Sequence, residues 1–316
     1  MSVHECRGAN IRIRGMSSTR ASLDAAGESA ARLRGILLMV AAFALFACLD
    51  ATAKYLSAWF ETPLIVFARY AFAVVYSLVF LWSTGTLSQM RARNLPLQIV
   101  RGLLLVGGTL LNFTAVRYLQ LAETSSIMFS NPLWVCALSV PLLGEQVGPR
   151  RWLAVVIGFV GVMIIIRPGA EGFHWAAFLS LGAALSTALY QIATRKAAAY
   201  DSSETTLFYT ALVGAVAVTP AVPGSWEMPT GWLLAIMCTF GLFGAVGHQF
   251  LIVAHKLAPA PVLAPFVYSQ IIWMVIIGYA VFGDLPDLWT VAGGLLVVSS
   301  GLYLLYRERQ IKKRAA

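Results

Sequence analysis

Charge is what this chain has least of. Only 12% of its 316 residues are charged, against about a quarter in a soluble domain. With 59% hydrophobic residues and a mean hydropathy of +0.76, its apolar surface is too large for one soluble core. An ordinary water-soluble enzyme or binding module is therefore excluded. Acidic residues number 14 against 23 basic ones, a net charge of +9. That excess suggests nucleic acid at first sight. The basic residues instead gather in loops and tails, a topology pattern, so no nucleic-acid partner is expected.

Cysteine is also scarce. Cys6, Cys48, Cys136 and Cys238 show no metal-ligand or redox spacing and read as small apolar fillers. Neither a metal site nor a cofactor is expected. There is no HExxH, no clustered histidine–carboxylate set and no Walker A pattern. Catalytic residues are thus expected to be none, and ATP-driven transport would require another subunit. Residues 1–34 are rich in Arg, Ser and Ala and lack an apolar run. They read as a disordered cytoplasmic tail, not a secretory signal.

What the chain does have is apolar runs of about 18–25 residues, each long enough to cross a bilayer. They fall at roughly 35–57, 63–83, 96–116, 120–143, 150–167, 173–195, 204–222, 230–254, 257–282 and 287–306. With both termini inside, 18 of the 23 Lys and Arg residues lie on the inner side. The outer loops keep only Arg117 and Arg167, and Lys54, Arg69 and Arg101 fall within spans. The expected setting is the cytoplasmic (inner) membrane, multi-pass, with both termini cytoplasmic.

The two halves repeat. An offset of 139 residues aligns 102–145 with 241–284 without a gap. It pairs Gly102 with Gly241, Gly108 with Gly247, Arg117 with Lys256, and Gly144-Glu145 with Gly283-Asp284. It also pairs Phe129-Ser-Asn-Pro-Leu-Trp134 with Tyr268-Ser-Gln-Ile-Ile-Trp273. A small shift adds Asp50-x-x-Ala-Lys54 opposite Gln191-x-x-Thr-Arg195. Each half holds five helices, an odd number, so the copies face opposite ways across the bilayer. The expected fold is all-α: a polytopic membrane protein of ten transmembrane helices in two five-helix inverted repeats. Repeat one is 35–167, repeat two is 173–306, and 307–316 is a basic cytoplasmic tail. In this architecture the substrate sits near the midplane, between repeats.

These residues resemble the drug/metabolite transporter superfamily, EamA (RhaT-like) group. The resemblance is carried by Leu143-Gly144-Glu145 with Trp152, Gly158 and Gly161, and by Phe282-Gly283-Asp284 with Trp289, Gly294 and Gly301. It covers about 35–306, with Asp284 standing where Glu is usual. It implies uptake or export of a small organic metabolite such as an amino acid, a nucleoside-like compound or a vitamin.

Polar groups inside the spans are the candidate site, because lipid makes them costly. Ser130, Asn131 and Trp134 share a face by their i, i+3 and i+4 spacing; Ser269 and Trp273 share another, with Gln270 beside it. With Tyr268 they offer amide donors and acceptors and an indole stacking face. The alternative reading is interhelical glue. Arg69, Asn112 and Gln191 complete the candidate substrate-binding set. Asp50 and His248 are the proton-coupling candidates, although Asp50 could instead pair with Lys54 one turn on, or with Arg69. Glu145 and Asp284 read as structural loop anchors. The function expected is secondary active transport by alternating access, leaning to uptake of a planar heteroaromatic solute such as riboflavin. Amino-acid or drug export, uptake of an S-adenosylmethionine-like solute, a channel and an intramembrane enzyme are the alternatives. Expected partners are the lipid bilayer, the solute and protons as coupling ion, in a monomer or homodimer.

Overall fold

The computed structural model describes residues 3–83, 85, 91–144, 147–169, 173–197, 199–258 and 260–315. Side chains before residue 30, and those of 203–204, 225, 260–261, 264, 308–309 and 311–315, fall outside the description. Glu145 and Pro259 also lie outside the described residues.

In a bilayer every backbone N–H and C=O must be satisfied within the protein, and apolar runs of this length answer with helices. In chain order they are α1 (Val3–Leu56), α2 (Thr62–Ser83), α3 (Leu95–Tyr118), α4 (Leu121–Met128), α5 (Asn131–Leu143), α6 (Pro149–Ile166), α7 (Ala176–Ala197), α8 (Ser203–Val218), α9 (Trp232–Leu257), α10 (Ala260–Leu263), α11 (Ser269–Ile277) and α12 (Leu288–Ala315). Counting α4–α5 and α10–α11 as single broken spans, nine spans among the described residues are long and apolar enough to cross a membrane. The tenth, Thr205–Ala221, is shorter. It stops early because Pro220 and Pro223 cannot continue an α-helix. Exposed tryptophans mark the membrane edges. Trp59, Trp175, Trp226, Trp232 and Trp289 sit at one face, and Trp82 and Trp152 at the other.

The backbone is helical from Val3, continuous with the first span. Ala21, Ala25, Ala26, Ala30 and Ala31 give that segment strong helix formers.

The inverted repeat is visible in how helices pair. α2 packs on α8 and α6 on α12, each a helix against its own repeat mate, and the broken fourth span meets its mate, the ninth, where α4 packs on α11. α1 packs on α9 and α3 on α7, the exchanged pair that a two-fold axis in the membrane plane requires. Local geometry repeats as well. Gly144 (φ 69°) and Gly283 (φ 73°) both end their spans in the left-handed region that glycine adopts freely. Where α6 crosses α12, a Cβ on Gly161 would lie 2.8 Å from the Gly293 carbonyl oxygen, and one on Gly293 2.5 Å from that of Gly161. Only glycine allows backbones this close, as at small-residue crossings between membrane helices.

Three ion pairs fasten the face where α1 ends and α12 begins. Lys54 pairs with Asp284 at 2.6 Å, Arg167 with Asp287 at 2.6 Å, and Arg117 with Glu61 at 2.9 Å. The first two join the repeats. The basic residues of the sparsely charged face, Arg117 and Arg167, are thereby neutralised by carboxylates.

Candidate functional site

The repeated motif lies where the fourth and ninth spans break. α4 ends at Met128 and α5 restarts at Asn131; a 3₁₀ turn over Ala264–Tyr268 precedes α11 at Ser269. Pro132 in the first turn of α5 and Pro265 within the 3₁₀ turn fit these interruptions. The sequence reading places both prolines inside helices; the breaks put Pro132 at a helix start instead. The two copies touch: the Phe129 and Tyr268 rings, mates in the repeat, lie 5.1 Å apart.

Around this contact several polar atoms are buried without a protein partner: Ser130 Oγ, Ser269 Oγ, Trp134 Nε1 and Tyr268 Oη. Trp134 packs edge-on against Phe159 at 4.7 Å. Trp273 packs with Met274 and Leu121. Asn131 is engaged, donating from Nδ2 to the Ala184 carbonyl (3.1 Å) and accepting at Oδ1 from Gln191 Nε2 (2.9 Å). The motif therefore divides: Asn131 and Gln191 form one bridge from α5 to α7, whereas Gln270 turns to α1.

Gln270 meets Asp50. The Asp50 carboxylate accepts from Asn112 Nδ2 on α3 (3.3 Å) and from Gln270 Nε2 on α11 (3.4 Å). Asp50 thus joins amides from both repeats. Its suggested pairing with Lys54 does not form. Lys54 reaches Asp284 instead, donates to the Leu119 carbonyl (3.0 Å) and lies over the Phe282 ring at 4.8 Å. Asp284 accordingly serves as the anchor the sequence suggests for it.

A separate polar group surrounds a cavity of about 120 Å³ enclosed by α2, α3, α7, α8 and α9. Arg69, Tyr70, Tyr76, Tyr190, Thr210 and His248 supply its polar lining. Arg69 stands about 10 Å into α2 and Tyr190 about 10 Å from the end of α7, at 1.5 Å per residue. Helices of both repeats thus bring these residues to mid-depth. Arg69 makes one long hydrogen bond, Nη1 to Thr109 Oγ1 at 3.4 Å, and faces the rings of Phe113 and Tyr70. It acts electrostatically on both Asp50 and His248. His248 packs beside Phe46 at 5.0 Å between ring centroids.

Arg101 lies behind this cavity and is the largest fully buried side chain, 1% exposed. Its guanidinium donates to Thr194 Oγ1 (2.8 Å), Gln98 Oε1 (2.7 Å), the Thr206 carbonyl (3.1 Å), Tyr190 Oη (3.3 Å) and Thr210 Oγ1. Among the described residues no carboxylate pairs with it. Gln98 passes the contact outward, donating from Nε2 to Asp201 Oδ2 (2.9 Å). Asp201 lies between α7 and α8 at the membrane edge. Partial burial pushes its carboxyl up, but the Gln98 amide, two backbone N–H groups and the Arg93 charge outweigh that and hold it below the usual carboxylate range.

Sequence reasoning marks Arg101 as an in-span charge, but misses Tyr76 and Thr210. The only sequence signal for the cage is a charged residue in a span with Gln and Thr on nearby helices.

The chain belongs to the EamA-like transporter family, whose model matches residues 33–167 and again 174–307. It is a multi-pass membrane protein of that transporter family. The S-adenosylmethionine uptake transporter of Rickettsia felis is 28% identical over 265 residues, covering 84% of this chain and 90% of its own. The riboflavin transporter of Vibrio cholerae serotype O1 is 31% identical over 295 residues, covering 89% and 96%. A solved crystal structure superposes with a TM-score of 0.61 at 17% identity, over 90% of this chain and 99% of that one. At that identity the likeness concerns the fold.

Proposed function

We propose that the protein is a secondary transporter that takes up a small planar metabolite by alternating access, with riboflavin the leading solute. The observation carrying this reading is the mid-depth cavity between the repeats, walled by Arg69, Tyr76, Tyr190 and His248. That is where inverted-repeat transporters hold substrate. Aromatic rings give a planar solute stacking faces, and the guanidinium and hydroxyls give its carbonyls donors. The relative named a riboflavin transporter, matched over 96% of its length, supports the lean. At about 120 Å³ the cavity is smaller than the about 300–1,000 Å³ of ordinary ligand pockets. It must widen when solute enters.

The repeated motif serves as the hinge of that widening. Its unpartnered serines, tyrosine and tryptophan sit at the helix breaks, and such broken helices are where transporters bind and bend. In this proposal the protein lies in the cytoplasmic membrane with both termini inside, acts as a monomer or homodimer, and is driven by protons through Asp50 or His248. It carries out no catalysis.

Flux of labelled riboflavin into proteoliposomes, with and without an imposed pH gradient, tests this. Accumulation that follows the gradient is expected. Asp50→Asn and His248→Gln proteins that both keep full gradient dependence would remove both coupling roles. Lipid turnover without solute flux would move the reading to an enzyme. A second reading, uptake of an S-adenosylmethionine-like solute, draws on the relative of that name and is scored in the same assay.

A further inference from the structure

The cavity's polar lining is unusual in its sign. Its lining residues include Arg69 and no Asp or Glu. Arg69 spends one N–H on Thr109 at 3.4 Å and has no ion pair with a described residue. An arginine carries five donors and no acceptor, so most of its donors are unspent on the protein. Directly behind the wall, Arg101 donates to the oxygens of Tyr190 and Thr210, two residues that line the cavity. The Thr210 hydroxyl then donates to the Thr206 carbonyl (2.6 Å). The Tyr190 hydroxyl, its oxygen occupied by Arg101, has no acceptor of its own among the described residues. The cavity's one charged lining side chain is thus a donor only, beside hydroxyls and the His248 ring, which can donate or accept.

The charge balance agrees. Two guanidiniums stand at or behind the wall. Asp50, held by Asn112 and Gln270 outside the lining, offsets one of them. Arg101 has no carboxylate partner among the described residues, and the nearest in its chain of bonds, Asp201, is reached only through Gln98.

We infer that this cavity selects by charge: it takes a neutral or anionic solute with an acceptor-rich edge, an imide or carboxylate, and rejects a cation of the same shape. The inference rests on the transport reading above and narrows it. Arg69 is the residue that touches the acceptor edge. Arg101 is a positioning residue that fixes Tyr190 and Thr210 as the facing hydroxyls.

The test uses two matched pairs of probes in competition binding to the purified full chain. One pair is S-adenosylhomocysteine against S-adenosylmethionine, which differ by a methyl group and one positive charge. The other is riboflavin against riboflavin bearing a quaternary ammonium on its ribityl chain. The neutral member of any pair that binds is expected to bind at least about tenfold tighter, since opposed like charges are strongly disfavoured. In Arg69→Gln that gap shrinks at least about threefold, and Arg69→Lys, which keeps the charge, retains it. Because Arg69 makes only one long hydrogen bond, these variants are expected to fold, and unchanged thermal unfolding checks that. A cation binding as tightly as its neutral mate, or a gap untouched by Arg69→Gln, overturns the charge selection and leaves transport standing. No binding and no flux for all four probes refutes the planar-solute reading on which the inference rests.

Discussion

Breaking the Lys54–Asp284 pair should destabilise the protein by more than an ordinary surface ion pair would. The two side chains are 16% and 28% exposed and lie 2.6 Å apart. A second Lys54 N–H is satisfied by the Leu119 carbonyl, and the Phe282 face lies 4.8 Å away. Removing one partner of a fully buried pair costs about 3–5 kcal/mol, whereas an exposed pair contributes about 0–1 kcal/mol. This pair lies between, nearer the buried limit, so Asp284→Asn should cost about 2–3 kcal/mol. Lys54→Met should cost less, because Asp284 is the more exposed partner and water can replace the lost charge. The double variant Lys54→Met/Asp284→Leu removes both charges and should recover about 1–2 kcal/mol of the summed losses. Thermal unfolding of detergent-purified protein reads all four corners of this cycle. An apparent Tm drop of roughly 4 °C or more is expected for Asp284→Asn. Since the pair ties α1 of one repeat to the end of the ninth span in the other, its loss should also change solute flux. Additive single effects, with no coupling beyond about 0.5 kcal/mol, would refute the argument that these residues act as one inter-repeat fastener.

Other outcomes follow from the same geometry. Gly293→Ala drives a methyl group toward the Gly161 carbonyl 2.5 Å away; overpacking of this kind costs about 1–3 kcal/mol, and a Tm equal to the parent would deny the close crossing. Gly283→Ala forces φ 73° on an L side chain and should cost about 1–2 kcal/mol, read in the same melt. Asp287 lies outside the spans. Although partial burial pushes its carboxyl up, bonds from Thr290 and the charge of Arg167 hold it below the usual range, as happens at Asp201. A depressed carboxyl contributes stability that is present above the ordinary value of about 4. That contribution is lost as pH falls through the lower folded value. Melts from neutral pH down to about 3 should show an acid-side loss that Asp201→Asn/Asp287→Asn flattens; an unchanged acid limb would sink that assignment.

Much of the frame is legible in the sequence because lipid permits few solutions. Apolar run length gives the spans, and the 139-residue offset gives the repeat, which the matched left-handed Gly144 and Gly283 bear out in backbone geometry. The short α8 and the two broken spans carry prolines as local signals. What sequence cannot pair is what topology brings together. Lys54 meets Asp284 across 230 residues, while the nearer partner Asp50, one turn away, points to different helices. Arg101 is visible only as an in-span charge; its five acceptors come from α3, α7 and α8. The Ser130 and Ser269 motif is visible as a repeat. That its polar atoms sit at helix breaks, outside the lining of the cavity, follows only from packing.

The symmetry and the chemistry of the molecule then separate cleanly. At the crossing of α3 with α8, a Cβ on Gly102 would meet Val213 at 2.6 Å; at the crossing of α9 with α2, one on Gly241 would meet Phe72 at 2.6 Å. These are mates, so the skeleton is alike in both halves. One residue earlier the halves part. Arg101 sits in a polar cage, whereas its mate Phe240 packs on Phe113 at 5.8 Å between rings. Thr109 likewise has His248 as its mate. Motion needs equivalent crossings; selectivity needs unlike linings. The consequence is testable by giving position 101 its mate's residue. Arg101→Phe keeps a large side chain but leaves Gln98 Oε1 and Tyr190 Oη without their partner; the Thr194 and Thr210 hydroxyls and the Thr206 carbonyl lose one bond each and keep those from Thr194 to the Tyr190 carbonyl and from Thr210 to the Thr206 carbonyl. At about 1–3 kcal/mol for each buried group left unpaired, the two cost about 2–6 kcal/mol, comparable to the lower end of a typical stability margin of about 5–15 kcal/mol. Folded yield after membrane extraction should fall. Phe240→Leu, a change of shape within an apolar cluster, should cost no more than about 1–3 kcal/mol and leave yield intact. Equal yields of the two variants would mean that the cage around Arg101 does not hold the fold, and that the asymmetry at this position serves the cavity alone.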